Sequence, residues 1–102
     1  MDIEKRKKLE AKGWKSTTAA EFLGLSTYEQ QIVELRLALS DALKERRLEA
    51  NLTQESFAKL LQSSQSRVAK MEAGDSSVTF DLLIRSLFKA GVDREELAKI
   101  IV

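Results

Sequence analysis

Apolar and polar residues recur along this chain with a helical period, and residues that start and stop helices stand between the periodic stretches. The longest stretch runs from about residue 27 to 50. There Ile32, Leu35, Leu39 and Leu43 follow one another at spacings of three and four, which places them on one helix face, and Ala42 and Leu48 can join the stripe. Ser26-Thr-Tyr-Glu29 opens it as a capping box, and Asn51, which tolerates left-handed backbone, can close it. Shorter helices follow. Thr53 caps about 54–61, Ser64 caps about 65–73 with Gly74 as stop, and Thr79 caps about 80–90 with Gly91 as stop. Asp93-Arg-Glu-Glu96 is another box, opening a last helix whose Leu97, Ile100 and Ile101 are expected to face inward.

Upstream the pattern is weaker. Residues 1–12 read as a charged arm, ended by Gly13 and Trp14. Thr18-Ala-Ala-Glu21 caps a short helix through Phe22 and Leu23, stopped by Gly24. No period-two strand pattern extends beyond a few residues, so the expected fold is all-α. The domain boundary is expected near residue 38, with an N-terminal helical extension over 1–38 and a compact helical domain over 39–102.

Composition narrows the chemistry. The 102 residues, 43% hydrophobic and 32% charged, suit one core. There is no His, no Cys and no Pro. Zinc sites of the usual kind, iron–sulfur clusters, disulfides and nucleophiles of the Ser–His or Cys–His type are therefore excluded. The carboxylates belong to caps and helix faces, as Glu95-Glu96 does, so the chain is not expected to be an enzyme and no cofactor or metal is implied. No apolar run is long enough to span a bilayer, and the start of the chain lacks the apolar core of a signal peptide, so a cytoplasmic location is expected. Net charge is +1. Residues 1–15 hold six Lys/Arg against three Asp/Glu, residues 16–50 hold four against six, and the remainder is balanced. A polyanion-binding surface must therefore come from local segregation of charge.

One segment segregates its side chains in that way. Leu52 to Gly74 reads LTQESFAKLLQSSQSRVAKMEAG. Phe57, Ala58 and Leu61 share a face of its first helix, and Val68 and Met71 a face of its second, with Glu72 at the edge. Ala58 is small where the two helices would cross, and Gln62-Ser63-Ser64 is a short turn ending in a cap. This describes a helix-turn-helix. The outward face of the second helix carries Gln65, Ser66, Ala69, Lys70 and Ala73. Gln pairs with adenine in a bidentate manner, Ser accepts or donates, Lys reaches guanine or phosphate, and Ala touches a thymine methyl. Taken alone, Gln65, Ser66 and Lys70 read equally well as a solvated helix face.

Residues 43–102 resemble the lambda-repressor-like, or XRE-family, helix-turn-helix domain. The similarity lies in Leu52-Thr53-Gln54-Glu55, in Ser64 through Gly74, in Thr79-Phe80-Asp81-Leu82-Leu83 and in Ala90-Gly91-Val92-Asp93, four blocks in the family's order and spacing. It implies a five-helix domain that binds double-stranded DNA as a homodimer on a palindromic operator. It implies a DNA-backbone contact for Gln54 and the cap of the recognition helix for Ser64. Gln65, Ser66 and Lys70 would read bases, with Arg67 and Ala69 beside them. Arg47 and Glu72 match a half-buried structural ion pair between the first and third helices of the family; read without the resemblance, they are a surface pair of little worth.

The chain also departs from the family. Gln62 replaces a small turn residue, and is expected to need no positive φ. Ala73 replaces a phosphate-contacting Asn, and Asp75-Ser76-Ser77 replaces a basic loop. The last two changes remove backbone affinity, so dimerisation or a partner is expected to supply it. Ala19-Ala-Glu-Phe-Leu-Gly-Leu-Ser26, running into a long helix, resembles the extension of HigA-type antitoxins, which implies a small toxin protein of the RelE/HigB kind as partner. Trp14, Phe22 and Tyr28 read as packing residues. The cluster Lys5-Arg6-Lys7-Lys8 reads as a solvated arm, with a contact to DNA backbone or toxin as the alternative.

Overall fold

The computed structural model describes Gly24 and residues 26–102. The arm, the short helix expected after Thr18, and the expectations for Trp14, Phe22 and Lys5 to Lys8 lie outside the described residues. Among the described residues there are five helices and no strand: α1 Thr27–Glu49, α2 Gln54–Leu60, α3 Gln65–Glu72, α4 Phe80–Lys89 and α5 Arg94–Ile101. The chain divides into two units between Glu34 and Leu35, inside α1.

Each helix starts on a side-chain cap. Ser26 Oγ donates to Glu29 Oε1 at 2.7 Å before α1. Thr53, Ser64, Thr79 and Asp93 accept the backbone N–H three residues on, at the starts of α2, α3, α4 and α5. Such caps satisfy donors that have no partner within the helix. At Asp93 only half of the expected box forms, because the Glu96 carboxylate turns to Arg46 at 3.3 Å.

The helix ends are alike as well. After α1 the Leu52 N–H reaches back to the Arg47 carbonyl, after α2 Ser63 to Ala58, after α3 Asp75 to Lys70, and after α4 Val92 to Leu87. These bonds bring the residue before each into left-handed backbone: Asn51 at φ 56°, Gln62 at 56°, Gly74 at 71° and Gly91 at 95°. The expectation for Gln62 is therefore corrected. The backbone does need a positive φ there, since the chain must turn within three residues and the six-to-one bond closes only through that conformation. Gln62 holds without glycine a place that glycine suits.

In the unit from Leu35 onward, the core gathers Leu39 and Leu43 of α1, Phe57 and Ala58 of α2, Leu61, Val68 and Met71 of α3, Val78, Leu83 and Leu87 of α4, and Val92. Among the described helices α2 and α3 pack together most extensively, with Ala58 of α2 buried. Ser86 Oγ donates to Met71 Sδ at 3.3 Å, so one buried hydroxyl finds a partner inside the core. Leu35, Ala42, Leu97 and Ile100 pack partly buried against it.

Three expected core residues are exposed, Ile32 at 46%, Leu48 at 53% and Ile101 at 50%, and so is Tyr28, expected to pack. A stripe defined by spacing has no end, whereas the core that fills it has one. Leu48 stands well round the helix from Leu43, and the place on the stripe goes to Arg47, which is half-buried. Ile101 sits in the last turn of α5, a helix with no buried residue.

Candidate nucleic-acid interface

Residues 52–75 form two short helices, α2 and α3, joined by a tight turn. The α3 sequence QSRVAKME buries Val68 and Met71 completely. Because that face is fixed to the core, the opposite one must point outward. Gln65, Ser66, Arg67, Lys70 and Ala73 are exposed, and Ala69 is half-buried. Gln65, Arg67 and Lys70 make no hydrogen bond or ion pair with their side chains among the described residues. Ser64 and Ser66 place their hydroxyls 3.3 Å apart, and Ser64 Oγ accepts the Arg67 N–H at 3.2 Å. The start of α3 thus presents an amide, two hydroxyls and two cations on one surface.

Arg47 and Glu72 set the pose of α3. Arg47 Nε donates to Glu72 Oε2 at 2.7 Å and Nη2 to Oε1 at 3.0 Å, a two-pronged contact. Its Nη1 donates to the Leu52 carbonyl at 3.0 Å. The Glu72 hydrogen bond raises the Arg47 pKa above its already high ordinary value, with charge attraction adding to it against the opposing effect of burial. The side chains are 12% and 4% exposed, so the pair is an internal brace. Gln54 Nε2 joins it, donating to Glu72 Oε1 at 3.3 Å. The residue aligned with the family's backbone-contacting Gln is thus tied to α3 through the same carboxylate. The spacing of the residues carries no sign of this link.

An open cleft of about 410 Å³ runs beside α3, lined by Ser64, Ser66, Arg67 and Lys70 on one side and Ser77, Val78, Thr79 and Leu82 on the other. Asp75 stands next to it. Hydrogen bonds from Ser77 hold the Asp75 carboxyl below the usual carboxylate range, with Lys70 and Arg36 adding smaller attractions.

Sequence reasoning missed Arg36. Its Nη1 donates to the carbonyls of Asp75, at 3.3 Å, and Val78, and its guanidinium lies 4.6 Å from the centroid of the Phe80 ring. A signal existed: Arg36 stands four and seven residues before buried Ser40 and Leu43, so the period puts a cation on the inner face of α1. Two further cations also serve backbone carbonyls. Arg46 Nε donates to Ala90 at 3.1 Å, and Lys89 Nζ to Leu61 at 3.1 Å. Arg36, Arg46, Arg47 and Lys89 thus direct their charge to backbone carbonyls, whereas Arg67 and Lys70 are the cations of the α3 surface.

No helix among the described residues is long and apolar enough to cross a membrane. Among curated proteins and among solved structures no significant match to the chain was found. A family model described as helix-turn-helix matches residues 43–85. That span runs from the second half of α1, through the α2–turn–α3 unit braced by Arg47 and Glu72, into α4. Over residues 43–85 the chain is therefore similar to the helix-turn-helix family, in keeping with the resemblance to the XRE, lambda-repressor-like domain carried by the sequence.

Proposed function

We propose that the chain is a sequence-specific transcriptional regulator that acts in the cytoplasm as a repressor, reading the major groove of duplex DNA with α3. The observation that carries this is the division of α3. Val68 and Met71 are sealed in the core, while Gln65 and Lys70 face out with no hydrogen bond or ion pair of their side chains among the described residues, and exposed Ser66 bonds only the neighbouring Ser64 hydroxyl. In this reading Gln65 and Ser66 reach base edges, Lys70 stands where it reaches guanine or the phosphate beside it, Ala69 lets the helix approach, and Arg67, Ser64 and Gln54 meet the backbone. Residues 39–102 are the DNA-binding domain, and residues 1–38 an extension.

The electrostatics set the form of binding. With two cations on the α3 surface and Asp75 beside the cleft, a single subunit has a small non-specific affinity. A homodimer on a palindromic operator doubles the contacts. The apolar end of α5, where Ile101 and Val102 are exposed, supports an interface between copies. The test is binding to the region upstream of its own gene and to a scrambled duplex of equal length, across salt. Preference for the upstream region supports the reading, and equal affinity for both removes it.

A second reading is that the chain is the antitoxin of a two-gene module, which binds and neutralises a small toxin and represses its own operon. It is favoured by α1, which starts at Thr27, well before the matched segment at residue 43, and by the antitoxin-like stretch at residues 19–26. A neighbouring reading frame for a small basic protein that co-purifies with this chain, and is lost on deletion of residues 1–35, supports it. A gene with no such neighbour argues against it.

A further inference from the structure

The loop after α3 is held from behind by a residue that precedes the matched family segment. Arg36 binds the Asp75 and Val78 carbonyls through one nitrogen and lies over Phe80, so it touches both ends of the loop and the first residue of α4. The same part of α1 closes on the residue before the loop. A Cβ at Gly74 would meet Leu37 Cδ2 at 3.0 Å and Ser40 Oγ at 3.9 Å. Within the loop, Asp75 Oδ1 accepts the Ser77 N–H at 2.8 Å. Residues 74–80 are thus fixed to α1 by close packing at Gly74 and by the Arg36 guanidinium at Asp75, Val78 and Phe80.

That loop is also a wall of the cleft beside α3. Ser77 and Thr79 line it across from Arg67 and Lys70. Thr79 Oγ1 accepts the Leu82 N–H at 3.1 Å, so its own proton is available to an anion. Two cations on one wall and hydroxyl donors on the other suit a phosphodiester, a singly charged group with two free acceptor oxygens.

We propose that Arg36 is a positioning residue for DNA binding: by holding the Asp75 and Val78 carbonyls it fixes residues 77–79 as the wall against which Arg67 and Lys70 seat a backbone phosphate of the duplex. The proposal rests on the reading of α3 as the DNA-reading helix. It assigns Arg36 no contact with DNA. Its task is to keep the far wall in place before the phosphate arrives, so that binding need not order the loop.

Arg36→Gln and Arg36→Lys test it. Amide hydrogen exchange is measured on the free proteins, and affinity on the upstream and scrambled duplexes described above. Arg36→Gln is expected to speed exchange at residues 75–80 about tenfold, on the scale of one lost charge-assisted hydrogen bond, while the amides of Leu43 and Leu83 keep their protection. It should weaken both duplexes by a similar factor. Arg36→Lys keeps the charge but shortens the side chain and loses the guanidinium that lies over Phe80, and is expected to stay close to Arg36→Gln in both readouts. Unchanged loop exchange in Arg36→Gln overturns the proposal. So does full return of affinity in Arg36→Lys, which would mean that charge alone acts. If the unaltered protein binds neither duplex, the reading of α3 falls and takes this proposal with it. That result is distinct from normal binding with an undisturbed loop, which removes the Arg36 role alone.

Discussion

Arg47 grips Glu72 with two nitrogens, at 2.7 and 3.0 Å, and with its third holds the Leu52 carbonyl, so one side chain joins α1, the turn before α2 and the end of α3. Glu72 lies one residue after Met71 and two after Lys70, on the edge between the buried and the outward sides of α3. The brace therefore governs the angle at which the outward face of α3 is presented.

Removing one partner leaves the other charge buried. Arg47→Met should destabilise the domain by about 3–5 kcal/mol. The double variant Arg47→Met with Glu72→Leu should recover most of that loss, since a packed apolar pair can replace a buried ion pair. Urea unfolding of the single and double variants measures both. A double variant no more stable than Arg47→Met would contradict the brace as described.

Gln62 sits at φ 56° where glycine is the easy residue. Gln62→Gly should stabilise the domain by about 1 kcal/mol, because relief of the left-handed backbone exceeds the entropy that glycine adds to the unfolded chain. For a chain of this size that raises the melting temperature by roughly 4–8 °C. Gly74→Ala should act in the opposite sense, through its φ of 71° and the approach of Leu37 Cδ2 to 3.0 Å from an added Cβ. Thermal unfolding of both variants checks the pair of signs.

Asp75 places a negative charge beside the cleft. Asp75→Asn retains an oxygen to accept the Ser77 N–H and removes the repulsion of phosphate, so it should tighten specific and scrambled duplexes alike, most at low salt. The carboxyl is held below its ordinary range by the Ser77 hydrogen bonds. Its contribution to stability is therefore complete above the unfolded carboxyl's titration, and is lost as pH falls through the lowered folded value. Titrations of Asp75→Asn and the unaltered protein against both duplexes, at low and high salt, test the charge effect.

Lys70→Ala and Gln54→Ala separate the phosphate component from the brace. Lys70→Ala should make the dependence of log affinity on log salt shallower by about 0.9 per subunit if Lys70 meets phosphate. Gln54→Ala should weaken all duplexes alike, with little change in base preference, since Gln54 stands at the start of α2 and bonds Glu72. A change of preferred sequence in Gln54→Ala would contradict its placement.

Much of the fold could be read from local signals, because caps and stops act over three or four residues. Thr53, Ser64, Thr79 and Asp93 each announce a helix in the sequence and each accept the predicted N–H. The faces of α2 and α3 are equally local. Phe57, Ala58, Leu61, Val68 and Met71 are buried as their spacing requires. What could not be read depends on where separate elements meet. Arg36 looks like any helix-face cation until Asp75, Val78 and Phe80 are brought to it. Lys89 likewise holds the Leu61 carbonyl across a separation that no period encodes. Gln62 was misjudged for a different reason: a positive φ is a property of the turn's closure, and the residue that occupies it need not be glycine. Nor does the sequence show that Arg36, Arg46, Arg47 and Lys89 serve internal carbonyls and are to that extent withdrawn from a polyanion.

The most direct test of the central claim is selection of bound duplexes from a pool of random sequence, by the unaltered protein and by Gln65→Ala. The account predicts that the unaltered protein enriches a palindromic site, and that Gln65→Ala loses its preference at one base pair of each half-site while retaining the others. Enrichment of no sequence by the unaltered protein, or an identical site selected by Gln65→Ala, would contradict the assignment of α3 as the helix that reads DNA.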